Sequence, residues 1–194
     1  MELNPILTEV NKARWLGSTD QCYEVIYTVV RAFQVQNIVE IGTHRAASTI
    51  AMCQAVKDNG QTPRVWTIDN WSQMDMRAAA VDHLSRAGFG PNVELVTGSS
   101  RDVLTKLFER TVDIDLVFID GDHTEDAVRA DWALSSPHAP LVLFHDAAMY
   151  AVSRVVDEAE AAGWNVTRFP TTFVEGDGRL VGVALAARKG AAGF

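Results

Sequence analysis

The sequence predicts an α/β fold: a doubly wound three-layer sandwich, with a mostly parallel seven-stranded sheet ending in an antiparallel edge pair. Three observations carry this. Apolar strand-like runs alternate with helix-like stretches through five strands, which calls for a parallel sheet covered on both faces. Leu116-Val117-Phe118-Ile119 is apolar at every position, as a strand buried on both sides must be. The last two strands are joined by a turn-bearing loop too short for a helical crossover, so they pair antiparallel.

Residues 1–34 read as an N-terminal helical segment, least regular over 1–18 and closing at Gly17-Ser18. Thr19 or Asp20 caps a helix with Cys22, Val25, Ile26, Val29, Val30 and Phe33 at helical spacing. The core, 35–194, opens with a strand at 35–41 and a helix at 46–56, stopped by Lys57-Asp58-Asn59-Gly60. A strand at 64–69 precedes a helix at 75–86, which Gly88 and Gly90-Pro91 end. A strand at 92–97, a helix at 101–109 and the most apolar strand, 113–120, follow. Then come a helix at 124–134, broken by Ser-Ser-Pro, a strand at 140–144 and a helix at 148–162. Strands at 164–169 and 180–187 close the chain, with Glu175-Gly176-Asp177-Gly178 as a turn. No linker or repeat divides it, so 1–194 reads as one domain.

Composition narrows the function classes. Of the 194 residues 47% are hydrophobic and 22% charged, values of an ordinary globular chain rather than a disordered or membrane one. The formal charge of −8 argues against nucleic acid or an anionic membrane as the main partner, without excluding a local basic groove. The start, Met-Glu-Leu-Asn-Pro, has no basic leader. No apolar run nears the roughly 18 residues that span a bilayer, so a cytoplasmic location is expected. Cys22 and Cys53 lie in helical apolar stretches without CxxC spacing and read as buried thiols.

Ligands of open α/β sheets bind beyond the strands' carboxyl ends. Polar residues collect there: Gly42, Thr43, His44 and Ser48 after the first strand, then Asp69, Asn70 and Trp71. Gly98, Ser99 and Ser100 follow the third strand, Asp120, Gly121, Asp122 and His123 the fourth, His145 and Asp146 the fifth. Turns favour such residues anyway, but five strand ends in register point to a site. His44 stands where the second glycine of G-x-G-x-x-G would be, and no P-loop is present, so a phosphate-rich cofactor is disfavoured. Asp69, ending the second strand, is placed to accept both hydroxyls of a ribose. A nucleoside cofactor without phosphates fits both facts.

Glu40-Ile-Gly42 with Ser48, Ile68-Asp69, Gly98-Ser99-Ser100-Arg101-Asp102 and Phe118-Ile119-Asp120-Gly121-Asp122-His123 together resemble a class I S-adenosylmethionine-dependent methyltransferase. The likeness covers roughly 35–150. It is nearest to small catechol-type O-methyltransferases and to the sugar and macrolide subgroup with Ile-Asp-Gly-Asp-His. It implies a Rossmann-like core, S-adenosyl-L-methionine as methyl donor and a small hydroxylated acceptor, a diol or sugar. It also implies roles. Glu40 steadies the glycine loop near the cofactor's amino group. Gly42, Thr43, His44 and Ser48 hold the methionine moiety and Asp69 the ribose diol, with Asn70 also at the cofactor. Trp71 covers the nucleoside, Ser99 and Ser100 meet the adenine, and Gly98 and Asp120 also touch the cofactor. Asp120, His145 and Asp146 correspond to an Mg²⁺ or Mn²⁺ site, and His123 to a general base. Bland alternatives stand beside these: a strand-end charge for Glu40, and helix caps for Ser48, Ser100 and Asp146.

Two departures stand out. Ala46 occupies a usual glycine; if its φ must be positive, Ala costs about 1 kcal/mol or more. His145 occupies a usual carboxylate, which either favours Mn²⁺, Fe²⁺ or Zn²⁺ over Mg²⁺ or means no metal and a second base. His44 and Arg45 lie in the cofactor loop, while His83 and His138 read as surface residues. The acceptor pocket is expected from 1–18, 71–77, 147–150 and 170–179. Many relatives are dimers or larger, so a homo-oligomer is allowed, with no interface fixed. The competing functions are a degenerate, non-catalytic methyltransferase-fold protein and, less favoured, a nicotinamide oxidoreductase.

Overall fold

The computed structural model describes residues 5–12, 20–72, 75–110, 113–174 and 180–191. Two helices, α1 (Pro5–Lys12) and α2 (Asp20–Ala32), precede the sheet. The alternating core is β1 (Asn37–Ile41), α3 (Ala47–Asp58), β2 (Arg64–Asp69), α4 (Met76–Arg86), β3 (Val93–Thr97), α5 (Ser100–Arg110), β4 (Leu116–Ile119), α6 (Glu125–Ser135), β5 (Leu141–Phe144) and α7 (Tyr150–Ala161). The chain returns through β6 (Asn165–Val174) and β7 (Leu180–Ala187). The strand order is β3-β2-β1-β4-β5-β7-β6, with β7 antiparallel to both neighbours and every other pair parallel. This is the Rossmann-like sandwich with an antiparallel edge pair that the sequence implies.

Strand alternation sorts the core into two layers. Ile38, Leu116, Phe118, Leu141, Leu143, Val183 and Leu185 face one side, where α2 and α3 contribute Ile26, Val30, Ile50 and Met52. Val39, Ile41, Val117, Ile119, Val142, Phe144 and Ala184 face the other, against Leu104 and Leu107 of α5, Val128 of α6, and Val152 and Val155 of α7. β4 and β5 are buried at every position. Each such side chain contributes on the order of 1.5–3 kcal/mol by leaving water. β3, at the edge, is only partly covered.

Several boundaries differ from the sequence-based expectation for local reasons. The strand expected at 35–41 starts at Asn37, because Gln34 turns left-handed (φ 54°) and the Val35 N–H closes α2 onto the Val30 carbonyl. The strand expected at 113–120 is Leu116–Ile119, because Asp115 instead turns its carboxylate to the N–H groups of Gln36 and Asn37 (2.9 and 2.8 Å). That contact aligns β1 with β4. The helix expected at 148–162 starts at Tyr150, after the Met149 N–H closes a turn on the Asp146 carbonyl. The strand expected at 164–169 runs to Val174, with a register shift after Pro170, where the ladder lacks a donor. The turn expected at 175–178 lies outside the described residues. Cys22 and Cys53 are free, buried thiols, and no described helix is long and apolar enough to cross a membrane.

Candidate active site

The order reverses between β1 and β4, so their following loops flank the switch point. The β1 loop is held from below. Glu40, fully buried at the end of β1, accepts Ser48 Oγ on Oε1 (2.5 Å), and Thr49 Oγ1 and Thr67 Oγ1 on Oε2 (2.5 and 2.6 Å). Thr43 and Thr67 join their hydroxyls at 2.6 Å. One carboxylate thus ties β1, β2 and the first turn of α3 together. Burial pushes Glu40 up to about 7, against the pull of those three hydroxyl donors.

Two residues shape the loop itself. Gly42 has φ +98°, and a Cβ there would lie 2.1 Å from the Asp120 carbonyl oxygen. Only glycine lets the two switch-point loops touch. Ala46 does sit left-handed, φ 63° and ψ 28°, with its methyl fully buried. The strained backbone costs about 1 kcal/mol, and burial of the methyl, worth roughly 0.8 kcal/mol, offsets much of it. His83, expected at the surface, is instead buried. It lies on the inner side of α4, with Nδ1 3.0 Å from the Arg45 carbonyl, and so fixes the loop's outer edge. His138 is exposed, as expected, and stacks on Phe108.

A cleft of about 700 Å³ opens along the carboxyl edge. Gly42, His44, Asp69, Asn70, Trp71, Gly98, Ser99, Ser100, Asp120, His123, His145 and Asp146 line it. Glu40, Thr43 and Ser48 do not; they are buried beneath it. Asp69 is aimed by two backbone donors, His44 N–H to Oδ2 (2.9 Å) and Trp71 N–H to Oδ1 (2.8 Å). Each oxygen keeps a lone pair for a further donor. Trp71 reaches this place through a left-handed φ of 52°. Of the stretches expected to line an acceptor pocket, Ser72 and Met76 also reach the cleft, while 1–4, 13–18, 73–74 and 175–179 lie outside the described residues.

Across the switch point, β4 and β5 deliver four side chains to one spot. His145 Nδ1 lies 3.0 Å from Asp120 Oδ1 and 3.4 Å from Asp146 Oδ2. His123 Nε2 lies 3.0 Å from Asp146 Oδ2 and 3.5 Å from Asp120 Oδ1. One donor atom from each residue falls within 4.8 Å of all the others. Burial alone would raise Asp120, but the two imidazoles hold it down at about 2. Asp146 is lowered in the same way against its burial. Contact with Asp120 and Asp146 raises His123 to about 9. His145 is raised despite desolvation, chiefly by Asp120.

Sequence reasoning passed over Asp131. It lies on α6, 2% exposed, and accepts Ser100 Oγ at 2.5 Å; burial raises it to about 6. A lone carboxylate inside a helical pattern carried no signal. Arg101, Thr124, Asp126 and Ala127 also line the cleft; they begin the helices after β3 and β4 and so face its rim.

A family model described as a methyltransferase domain matches residues 39–147. A catechol O-methyltransferase of Niastella koreensis is 36% identical over 104 residues, covering 52% of this chain and 44% of that protein. The chain therefore spans less than half the length of that curated relative. An O-methyltransferase of Streptomyces achromogenes, solved with S-adenosylmethionine, superposes with a TM-score of 0.79 at 20% identity, covering 97% of this chain and 92% of that one. An O-methyltransferase of Bacillus cereus, solved with S-adenosylhomocysteine, gives 0.76 at 18%, covering 94% and 89%.

Proposed function

The chain belongs to the methyltransferase-domain family, and from that premise we propose that it moves a methyl group from S-adenosylmethionine to a hydroxyl oxygen of a small hydroxylated molecule. One observation carries the reading: the same cleft holds a backbone-aimed carboxylate, Asp69, on one side of the switch point and the four-residue His/Asp cluster on the other. A cleft of about 700 Å³ lies within the roughly 300–1,000 Å³ usual for small-molecule sites. The names of the relatives, catechol O-methyltransferase among them, support an oxygen acceptor of diol type.

The residues would divide the work as follows. Asp69 takes the ribose hydroxyls, with Asn70 and Trp71 beside it. Gly98, Ser99 and Ser100 meet the base, and Asp131 sets the Ser100 hydroxyl. Gly42, Thr43, His44 and Ser48 shape the place of the methionine end, braced by Glu40. The cofactor supplies a sulfonium methyl open to in-line attack. The acceptor hydroxyl must lie opposite, at Asp120, His123, His145 and Asp146, and lose its proton there. His123, the more exposed of the two imidazoles, is placed to take that proton once it is itself neutral. Alternatively, Asp120, His145 and Asp146 hold a divalent ion, which when bound would polarise the acceptor oxygen. Fixing both reactants on one rigid sheet edge supplies much of the acceleration in a two-substrate transfer.

The test is calorimetry with S-adenosylhomocysteine, followed by transfer of labelled methyl to a panel of vicinal diols and sugars. Binding that Asp69→Ala abolishes, with transfer to oxygen, supports the reading. Absence of binding removes it. Binding without turnover on any acceptor favours a cofactor-binding protein that has lost the reaction, a reading that the exchange at His145 keeps in view.

A further inference from the structure

The β1 loop is bent in a way its residues do not favour. His44 (φ 46°) and Ala46 (φ 63°) are both left-handed, a conformation that costs free energy for a residue with a Cβ and persists only where neighbours enforce it. Part of the loop is held from within. The Ala46 N–H closes on the Thr43 carbonyl at 2.7 Å, and the Ala46 carbonyl accepts the Ile50 N–H at 3.0 Å. Helical bonding therefore starts at Ala46 and leaves the Arg45 carbonyl, one residue ahead of it, outside α3.

His83 reaches that carbonyl. On α4 it stands three residues after Ala80 and one before Leu84, both buried in the core layer that also takes in Ala46 and Ala47. Its Nδ1 lies 3.0 Å from the Arg45 oxygen. A carbonyl can only accept, so the ring carries a proton on Nδ1. Helix α4 is backed in turn by α1: Leu7 is buried in the same layer, and Glu9 pairs with Arg86, three residues beyond His83. The loop is thus pinned between its own turn and a helix that follows it by 38 positions. What the pin protects is the cleft. The His44 N–H aims Asp69 by donating to Oδ2 at 2.9 Å, and His44 itself forms cleft wall. A loop that relaxed at residues 44–46 would turn that N–H off the carboxylate and reshape the wall.

We infer that His83 is a positioning residue for cofactor binding: its bond to the Arg45 carbonyl holds the strained β1 loop in the form that accepts the methionine end and aims Asp69. The inference rests on the methyl-transfer reading for the identity of the ligand. His83 does not line the cleft, so it acts only through the loop. Where a ligand needs one of two loop forms, apparent affinity falls with the fraction in that form. Removing one hydrogen bond shifts such an equilibrium roughly three- to tenfold.

The experiment is S-adenosylhomocysteine calorimetry on the full chain, with urea unfolding of the same samples. His83→Leu, which keeps bulk but cannot donate, should weaken binding roughly three- to tenfold. His83→Asn, whose amide nitrogen can stand where Nδ1 stands, should bring affinity back to within about twofold of wild type. A role in stability alone would lower the urea midpoint and leave the affinity of the folded protein unchanged, and that result overturns the inference. In a His44→Gly background, where a left-handed φ carries no steric cost, the loss caused by His83→Leu should shrink to less than about twofold. An undiminished loss there overturns the strain account. Nitrogen NMR of the wild-type protein needs no variant: Nδ1 of His83 should carry a proton, and an Nδ1 without one overturns the contact. Wild-type protein that binds no S-adenosylhomocysteine takes down the methyl-transfer reading and this inference with it; binding that His83→Leu leaves unchanged takes down this inference alone.

Discussion

Replacing Glu40 with Gln should change how stability depends on pH. In the folded chain Glu40 is fully buried and titrates near 7, against 4.5 when free. Its folded value is raised, so its contribution to stability is full below pH 4.5 and is lost as pH rises through 7. The unfolded chain releases this proton first, and each pH unit between the two values costs about 1.4 kcal/mol. Between pH 5 and pH 8 the loss comes to roughly 2–3 kcal/mol. Gln is nearly isosteric with the protonated acid, and the hydroxyls of Ser48, Thr49 and Thr67 can rotate to serve it. Urea denaturation of wild type and Glu40→Gln at pH 5, 6, 7 and 8 isolates the effect, because every other titrating group cancels in the difference. The variant should gain roughly 2–3 kcal/mol on the wild type across that range. A difference flat with pH would mean that the three hydroxyl donors outweigh burial and that Glu40 is an ordinary carboxylate. A difference of opposite sign would mean that they depress it outright.

Further outcomes follow from the same contacts. Asp69→Ala should weaken S-adenosylhomocysteine binding at least about tenfold by calorimetry, since one hydrogen bond to a charged group is worth roughly 1.5–3 kcal/mol; the fold should survive, as Asp69 lies on the cleft wall. Gly42→Ala should destabilise the chain by more than about 2 kcal/mol in thermal or urea unfolding, because its Cβ meets the Asp120 carbonyl at 2.1 Å and its φ is left-handed as well. Phe118→Ala, at a fully buried central strand position, should cost about 3–5 kcal/mol in the same assay. Asp131→Ala should weaken S-adenosylhomocysteine binding severalfold by calorimetry, because it acts through the hydroxyl of Ser100, which lines the cleft.

The fold was legible because buried parallel strands have few ways to be written. Leu116 to Ile119 and Leu141 to Phe144 could be little else, and Asp69 could be placed by counting from Gly42. Strand ends were less legible: Asp115 resembles a strand residue until its carboxylate is seen to hold the start of β1. Backbone angles were not legible at all. That Ala46 is left-handed, and that Asp146 is too, is decided by what packs around them. His83 read as a surface residue because α4 is rich in alanine and arginine, which hides which of its sides meets the β1 loop. His123 and His145 were both singled out, but their meeting over two shared carboxylates depends on strands 25 positions apart in sequence coming side by side, as the pairing Leu116↔Leu141 shows.

The backbone contact between Gly42 and the Asp120 carbonyl bears on how such a protein can diverge. In a transfer between two bound molecules, a misplacement of about 1 Å can cost on the order of a hundredfold in rate. If their spacing were kept by side chains, every exchange of a liganding residue would disturb it. Here the two loops rest main chain on main chain, with no room for even a methyl group between them. The gap between the two half-sites is therefore gauged by peptide groups that mutation cannot alter, provided the glycine stays. Side chains above the joint are free to change chemistry while the reach from one half-site to the other is kept.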